Sequence, residues 1–236
     1  MIHTVDYKDI VMNTNRANLA RFYPLQETSG STAYDFSKNN HNGSISGATL
    51  AQYRGPDGSP AIGFDGINDN IDCDSDAGTD FGQYSVGSIM IWWKVSGAGV
   101  WSDSTIRAMT QIAGSADDYV RLRKTATDDE LQITGEFTND NDSDLETDYA
   151  DTDWHCTIVT WDVSGGTKEL KVYHDNTLEN TLSYTNDWDS GEPVDQLKIG
   201  SNRVGGGQYW SGALWCAGYW TSELTTAEIQ VLNMRQ

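Results

Sequence analysis

The chain has 236 residues, of which 37% are hydrophobic and 11% aromatic, so it can bury a complete core as one domain. Its 35 acidic residues outnumber its 15 basic ones, which gives a formal net charge of −20 at pH 7. This charge opposes contact with nucleic acid and with anionic membranes, so we expect neither as a partner.

The chain starts with MIHTVDYKDIVMNTNRANL, which has no basic region followed by an apolar one, and no later segment is apolar enough to span a bilayer. Helical spacing within residues 7–19 is weak, with Ile10 and Val11 adjacent. We expect residues 1–18 to form an N-terminal arm or a short helix and residues 19–236 to form one domain. The arm either docks onto a partner or a symmetry mate, or covers a sheet of its own domain with Ile10 and Val11 buried.

Most of the chain after this segment alternates apolar and polar residues with the period of two that half-buried strands show. In ELQITGEF, for example, Leu131, Ile133 and Phe137 share one face. The segments SIMIWWKV and WHCTIVTWDV are apolar on both faces, which is typical of central strands. Turn-forming residues separate the strands at Ser164-Gly165-Gly166, Asp175-Asn176 and Gly205-Gly206-Gly207. This pattern predicts an all-β sandwich.

The end of the chain carries a helix signal in SELTTAEIQVLN. Thr225 and Glu228 have the spacing of a capping box, and Leu224 and Ile229 have that of a hydrophobic staple. We therefore expect a short C-terminal helix over residues 226–233.

Several segments occur in the order found in a known family. They are YPLQETSGSTAYDFSKNNHNGSISG, AIGFDGINDNID, IMIWWK with Trp92 and Lys94, and DWHCTIVTWDVSGGTKELKVYHDN. In these segments the chain resembles the laminin-G-like, concanavalin A-like lectin family. The resemblance implies a jelly-roll sandwich of two antiparallel sheets, one of them concave, and a module that more often binds or assembles than catalyses.

Calcium-binding members of that family have acidic residues where this chain has the apolar residues Leu214, Trp215 and Cys216. Calcium needs oxygen ligands, so a family-type site is not expected. The acidic run DCDSDAGTD, residues 72–80, lacks the glycine and the bidentate glutamate of an EF-hand loop. We expect no metal site and no cofactor, with loosely bound calcium at the acidic run as the alternative.

The segment ETDYAD, with Glu146, Asp148 and Asp151, resembles the acid/base cluster of laminarinase-type glycosidases. That chemistry needs two carboxyls about 5 Å apart on a rigid element, one of them in apolar surroundings. Here the carboxylates end a polar run, residues 138–151, that we interpret as a surface loop. None of the four histidines has a catalytic motif around it, and we interpret His155 as a sheet residue. We expect no enzymatic activity.

Aromatic residues are the remaining candidates, because sugars stack on Trp and Tyr while Asp and Asn bind the hydroxyls. Most of the nine tryptophans fall on predicted strands. Trp101, Trp188 and Tyr209 fall near predicted loops, where we expect exposure. These three residues are the predicted carbohydrate-binding site.

Three functions compete: a structural protein of a bacteriophage virion, a secreted glycan-binding or adhesion module, and a glycoside hydrolase. Cys73, Cys156 and Cys216 show no disulfide or metal spacing, which indicates buried thiols formed in a reducing compartment. With no export signal visible, we favour a lectin-like head decoration, fibre or tail component that is made in the host cytoplasm and displayed on the virion. Its expected partners are other virion proteins, copies of itself and a cell-surface glycan; for a secreted module the location would be extracellular.

Overall fold

The computed structural model describes residues 6–114, 118–127, 129–146, 151–202 and 207–233, with the side chains of residues 145 and 146 outside the description. These residues form two antiparallel sheets of eight strands each, three short α-helices and one 3-10 helix, Ala98–Val100, which loops connect. The predicted all-β jelly-roll sandwich is therefore confirmed. The division of the chain at residue 18 stays a prediction.

The first sheet is antiparallel throughout. Its strands, in spatial order, are β14 (Thr177–Tyr184), β13 (Lys168–His174), β12 (His155–Asp162), β7 (Val86–Val95), β16 (Ser211–Trp220), β5 (Pro60–Asp65) and β4 (Thr49–Arg54). A further strand, β1 (Leu19–Tyr23), pairs with the second half of β16. The two segments predicted as central strands form β7 and β12, which pair with each other in the middle of this sheet.

The second sheet is also antiparallel. Its strands are β11 (Asp140–Glu146), β10 (Leu131–Phe137), β9 (Tyr119–Lys124), β8 (Arg107–Gly114), β15 (Val194–Ile199), β6 (Asn70–Asp72), β3 (Gly43–Ser46) and β2 (Thr32–Ala33). The main core lies between the sheets and contains Trp93, Trp161 and Tyr219.

The strand β11 occupies half of the run that the sequence indicated as a loop, so that interpretation is wrong for residues 140–146. Thr138 and Asn139 both have positive φ angles, 48° and 63°, and join β10 to β11 as a two-residue hairpin turn. Because β11 is an edge strand, its polar residues need no apolar alternation. The turn was missed because threonine rarely adopts positive φ.

Helices cover the outer face of the first sheet. Both α1 (Tyr7–Asn13) and α3 (Thr226–Leu232) contribute to a second apolar cluster, with Tyr7 and Val11 buried against this face. The N-terminal segment thus covers a sheet of its own domain. Thr225 and Glu228 form the predicted capping box of α3. The helix α2 (Ala77–Phe81) contacts β15.

Candidate functional site

Two aromatic side chains, separated in sequence by one residue, are exposed just after β2. Tyr34 has 53% and Phe36 has 45% of its surface exposed. Large apolar rings usually lie inside a folded protein, so a pair of exposed rings next to cavities indicates a binding surface. We call this pair the aromatic pair.

Asp35, between the two rings, explains why both of them face outward. Its side chain is buried, and Oδ1 accepts hydrogen bonds from the backbone N–H groups of Phe22 and Ser37. Oδ2 accepts bonds from the Ser37 hydroxyl and from the His41 N–H. Alternate residues of an extended chain point in opposite directions, so an inward Asp35 places its two neighbours in solvent.

Both rings of the aromatic pair line two neighbouring cavities. The first, of about 340 Å³, is completed by Lys8 of α1 and by the segment that follows β1. From that segment it takes Pro24, Gln26, Glu27, Thr28 and Ser29. The second cavity, of about 330 Å³, is completed by Asp35, Ser37 and Asn40. The two rings with amide, hydroxyl and carboxyl groups around them have the composition of a sugar site.

Glu27 gives the first cavity its charged acceptor. Its Oε1 accepts the Tyr34 N–H at 2.9 Å, and its Oε2 is buried with no hydrogen-bond partner among the described residues. Burial raises the pKa of Glu27, and the hydrogen bond from Tyr34 and the charge of Lys8 oppose this rise. The Lys8 ammonium also lies 5.7 Å from the centre of the Phe36 ring. Of the described residues that line this cavity, Glu27 is the one carboxylic acid.

The predicted exposure of Trp101 and Trp188 is wrong. Their side chains are 1% and 2% exposed. The Trp101 indole donates to the backbone carbonyl of Asp151 at 2.7 Å, and the Trp188 indole donates to that of Glu192. Both tryptophans belong to the main core, because the loops that carry them fold back onto it. Neither ring offers an open face for stacking, although Trp188 borders a shallow cavity of about 310 Å³.

Tyr209, the third predicted site residue, is half-buried beside the second sheet. Its backbone bridges to Ala108 and to Ser201, and its carbonyl accepts a bond from Arg107 at 3.3 Å. Tyr209 is therefore less buried than the two tryptophans, and its backbone is held at the edge of β8. The neighbouring Gly205 and Gly206 of the predicted turn lie outside the described residues.

The outer face of the second sheet forms another polar surface. The Arg121 guanidinium lies 4.7 Å above the Tyr119 ring, and Arg123 donates to Gln132 Oε1 at 2.6 Å. Burial and the charge of Arg121 lower the pKa of Arg123 to about 10. Two arginines on one face of β9 make a cationic patch on a strongly acidic protein. We call it the arginine patch.

The acidic run at residues 72–80 does not gather its carboxylates around one point. Asp72 and Asp74 both contact the Lys198 ammonium, at 2.9 and 2.6 Å. Asp80 instead forms a buried ion pair with Arg21. These carboxylates serve as partners for buried cations, which accounts for their density along the chain.

The carboxylate cluster that resembles a glycosidase site lies only partly within the residues that the structure describes. Asp148 and the Glu146 side chain fall outside the described residues. The Asp151 side chain is 54% exposed and contacts His155.

No helix in the described part of the chain has the length and apolar character needed to cross a membrane.

Several solved structures have a fold similar to that of this chain. Domain 4 of an extracellular arabinanase from Geobacillus stearothermophilus, in complex with arabinotriose, is similar with a TM-score of 0.67 and 14% identity over 92% of this chain and 98% of that one. The CBM40 domain of a Ruminococcus gnavus sialidase, bound to sialyllactose, is similar at 0.55 and 12% over 75% and 96%. The binding domain of botulinum neurotoxin serotype D is similar at 0.65 and 12% over 95% of this chain and 52% of that one, so the chain spans about half of it.

A comparison with curated proteins found no significant match. Residues 64–230, which are more than half of the chain, match the model of a lectin and glucanase family. The matched range covers β6–β16 and most of α3. Because this match spans most of the sandwich, the chain belongs to the concanavalin A-like lectin/glucanases superfamily.

Proposed function

We propose that the chain is a non-catalytic glycan-binding module whose sugar stacks on the aromatic pair. The observation that carries this proposal is the exposure of Tyr34 and Phe36 at the shared wall of two cavities lined by polar groups. Stacking supplies affinity, while Gln26, Glu27 and Asn40 supply hydrogen bonds to hydroxyls. Two adjoining cavities suit a ligand of more than one sugar unit.

Similar structures support the class of ligand. The arabinanase domain binds arabinotriose, the CBM40 domain binds sialyllactose, and a botulinum neurotoxin of type C with a similar fold interacts with gangliosides. These ligands all contain a glycan, but they differ in composition and charge. The fold therefore favours a sugar as the ligand, and the residues around the aromatic pair determine which one.

We propose that the chain is not catalytic because one carboxylic acid, Glu27, lines the first cavity. Hydrolysis of a glycosidic bond canonically uses two carboxyl groups, about 5 Å apart in retaining enzymes and farther apart in inverting ones. Among the described lining residues of the first cavity, Glu27 has no second carboxyl to work with. In the second cavity, the Asp35 carboxylate is already occupied by four hydrogen bonds from its own chain.

We further propose that the module is displayed on a bacteriophage virion, in contact with other virion proteins and copies of itself. Three buried cysteines, an odd number, suit folding in the reducing host cytoplasm before display. Many copies on one particle give avidity even when each sugar contact is weak. The alternative is a secreted bacterial adhesion module. Mass spectrometry of purified particles, compared with culture medium freed of particles, separates the two locations.

The test of the binding site is a panel of neutral and acidic glycans, followed by calorimetry with the best ligand. Tyr34→Ala and Phe36→Ala should each weaken binding about three- to tenfold, the value of one aromatic contact. Leu178→Ala is the matched control, since it removes a side chain that is 49% exposed on β14. If Arg123→Gln abolishes binding while both aromatic variants bind normally, the ligand lies on the arginine patch and the proposed site is wrong.

A further inference from the structure

Two histidines and a carboxylate converge at one end of the first sheet. His155 is the first residue of β12, His174 is the last residue of β13, and Asp175 follows in the turn to β14. One ligand atom from each of these three residues lies within 4.8 Å of the other two. Antiparallel pairing of β12 with β13 brings the two imidazoles together, with ring centres 5.1 Å apart.

Asp175 is held so that one oxygen faces both imidazoles. Its Oδ1 accepts the Cys156 backbone N–H at 2.9 Å. Its Oδ2 lies 2.7 Å from His155 Nδ1 and 3.7 Å from His174 Nε2. Asp175 and Asn176 have φ angles of 43° and 78°, so this carboxylate belongs to a tight hairpin turn with a fixed backbone.

Further hydrogen bonds orient both rings. Asp151 Oδ1 lies 2.9 Å from His155 Nε2, and the Asp151 carbonyl is held in turn by the buried Trp101 indole. Thr157 Oγ1 lies 3.1 Å from His174 Nδ1. These contacts place His155 Nδ1 and His174 Nε2 toward Asp175. Carboxylate and hydroxyl groups behind metal-binding histidines commonly fix the rings in this way.

The short distance between His155 Nδ1 and Asp175 Oδ2 requires a positively charged species between these two atoms. With a hydrogen on Nε2 for Asp151, a neutral His155 presents a lone pair at Nδ1 to a carboxylate oxygen. Two acceptor atoms 2.7 Å apart need a positive species between them, either a proton or a metal ion.

From this geometry we propose that His155 Nδ1, His174 Nε2 and Asp175 Oδ2 form a binding site for a divalent transition metal of the zinc class. Imidazole nitrogen with one carboxylate suits Zn²⁺, Co²⁺, Ni²⁺ or Cu²⁺, whereas Ca²⁺ needs oxygen ligands. Tetrahedral ligands at about 2.0–2.1 Å lie roughly 3.4 Å apart, so side-chain shifts of under about 1 Å bring the three atoms into place. Water completes the coordination.

The site is open on one side, which gives an ion a path of entry. The side chains of His155 and His174 are 11% and 8% exposed, and that of Asp175 is 31% exposed. The carboxylate thus faces solvent while the imidazoles lie against the sheet. Trp93 lies beneath them, its ring centre 5.0 Å from that of His155 and 5.9 Å from that of His174.

The experiment uses the full chain without a polyhistidine tag. Calorimetry with ZnCl₂ at pH 7.5 should show one ion per chain, and Cu²⁺ should quench tryptophan emission because Trp93 touches the site. His174→Gln and Asp175→Asn should each lower zinc affinity at least tenfold, the usual order for loss of a coordinating or supporting group. Asp153→Asn removes the same charge two residues from Asp151 and should leave the affinity unchanged.

A variant that fails to fold does not block the test, because Co²⁺ titrated into the unaltered chain reports the ligand set by its visible absorption. Intense tetrahedral bands at one equivalent support the proposal. The proposal is overturned if neither Zn²⁺ nor Co²⁺ binds the unaltered chain, or if a folded Asp175→Asn variant binds zinc as tightly as the original. In either case the imidazole and the carboxylate share a proton only.

Discussion

The Tyr7 hydroxyl accepts a hydrogen bond from the Trp92 indole at 2.7 Å and so joins α1 to β7. The same hydroxyl donates to the Leu232 carbonyl at the end of α3. One buried oxygen therefore ties both terminal helices to the first sheet. Burial raises the pKa of Tyr7 well above its usual value, which keeps the hydroxyl protonated.

Tyr7→Phe should reduce the free energy of unfolding by about 1–3 kcal/mol, because it leaves a buried indole N–H and a buried carbonyl without partners. Urea denaturation followed by fluorescence measures this change. Tyr34→Phe is the control, since the Tyr34 side chain is 53% exposed and its hydroxyl can bond to water. Equal stability of both variants would show that the Tyr7 hydroxyl does not hold the helices.

Asp103 should contribute a stability that disappears in acid. Its carboxylate contacts the buried Lys124 ammonium at 2.8 Å and the Arg107 guanidinium at 2.7 Å. Burial alone would raise the pKa of Asp103, but the hydrogen bonds from Lys124 and Arg107 lower it below its ordinary value. The folded state therefore binds the proton more weakly than the unfolded chain does. The stabilisation is complete above the unfolded value of about 3.9 and is lost as the pH falls through the lower folded pKa.

Asp103→Asn should consequently be less stable than the original chain at pH 7, and the difference should shrink as the pH falls below about 4. Urea midpoints at pH 7, 5, 4 and 3 measure it. Asp195→Asn, at an exposed position on β15, provides the control for a change in net charge. A difference that stays constant down to pH 3 would contradict the assigned pKa shift.

The cysteines should be unreactive in the folded protein. All three are buried, and burial raises the pKa of Cys73 to about 12 and that of Cys216 well above its usual value. The reactive thiolate is therefore both scarce and inaccessible. A thiol reagent such as dithionitrobenzoate should label none of them in buffer and all three in urea. Rapid labelling of one thiol without urea would mean that its strand opens readily.

The sequence predicted the parts of the fold that repeat a local pattern. Alternation identified the strands, and the spacing of Thr225 and Glu228 identified α3, because each depends on residues close in the chain. Burial of Trp101 and Trp188 was missed, because whether a loop folds back onto a core depends on distant residues. His155 and His174 were missed for the same reason, since β12–β13 pairing joins them.

A pattern in the sequence could have identified the aromatic pair. YDFS places a buried aspartate between two aromatic residues, within a segment interpreted only as a mark of the family. Two aromatic residues at alternate positions can lie on either the buried or the exposed face of an extended segment. Here the Asp35 side chain occupies the buried face, so Tyr34 and Phe36 lie on the exposed face. Alternation alone does not say which of the two faces is the inner one.

Asp35→Asn tests whether this aspartate presents the aromatic pair. In the original chain Oδ2 accepts bonds from the Ser37 hydroxyl and from the His41 N–H at 2.8 and 2.9 Å. In the variant the amide nitrogen replaces Oδ2 and directs its N–H donors at the His41 N–H. The remaining side-chain oxygen keeps the bonds that it accepts from the Phe22 and Ser37 N–H groups. We expect a loss of about 1–3 kcal/mol in the free energy of unfolding, with the segment around Tyr34 loosened.

Two measurements on the Asp35→Asn variant, hydrogen exchange and glycan affinity, distinguish a local change at the aromatic pair from a general loss of folding. Hydrogen exchange should show faster exchange of the His41 amide than in the original chain, while the Phe22 amide, which keeps its acceptor oxygen, and the strands β7 and β12 remain protected. If the aromatic pair binds the glycan, affinity should fall in the same variant although both rings are still present. Asp57→Asn, which alters a carboxylate that accepts the Ser59 N–H in another turn, serves as the control. Unchanged exchange at His41 would mean that the backbone of this segment, and not Asp35, turns Tyr34 and Phe36 outward.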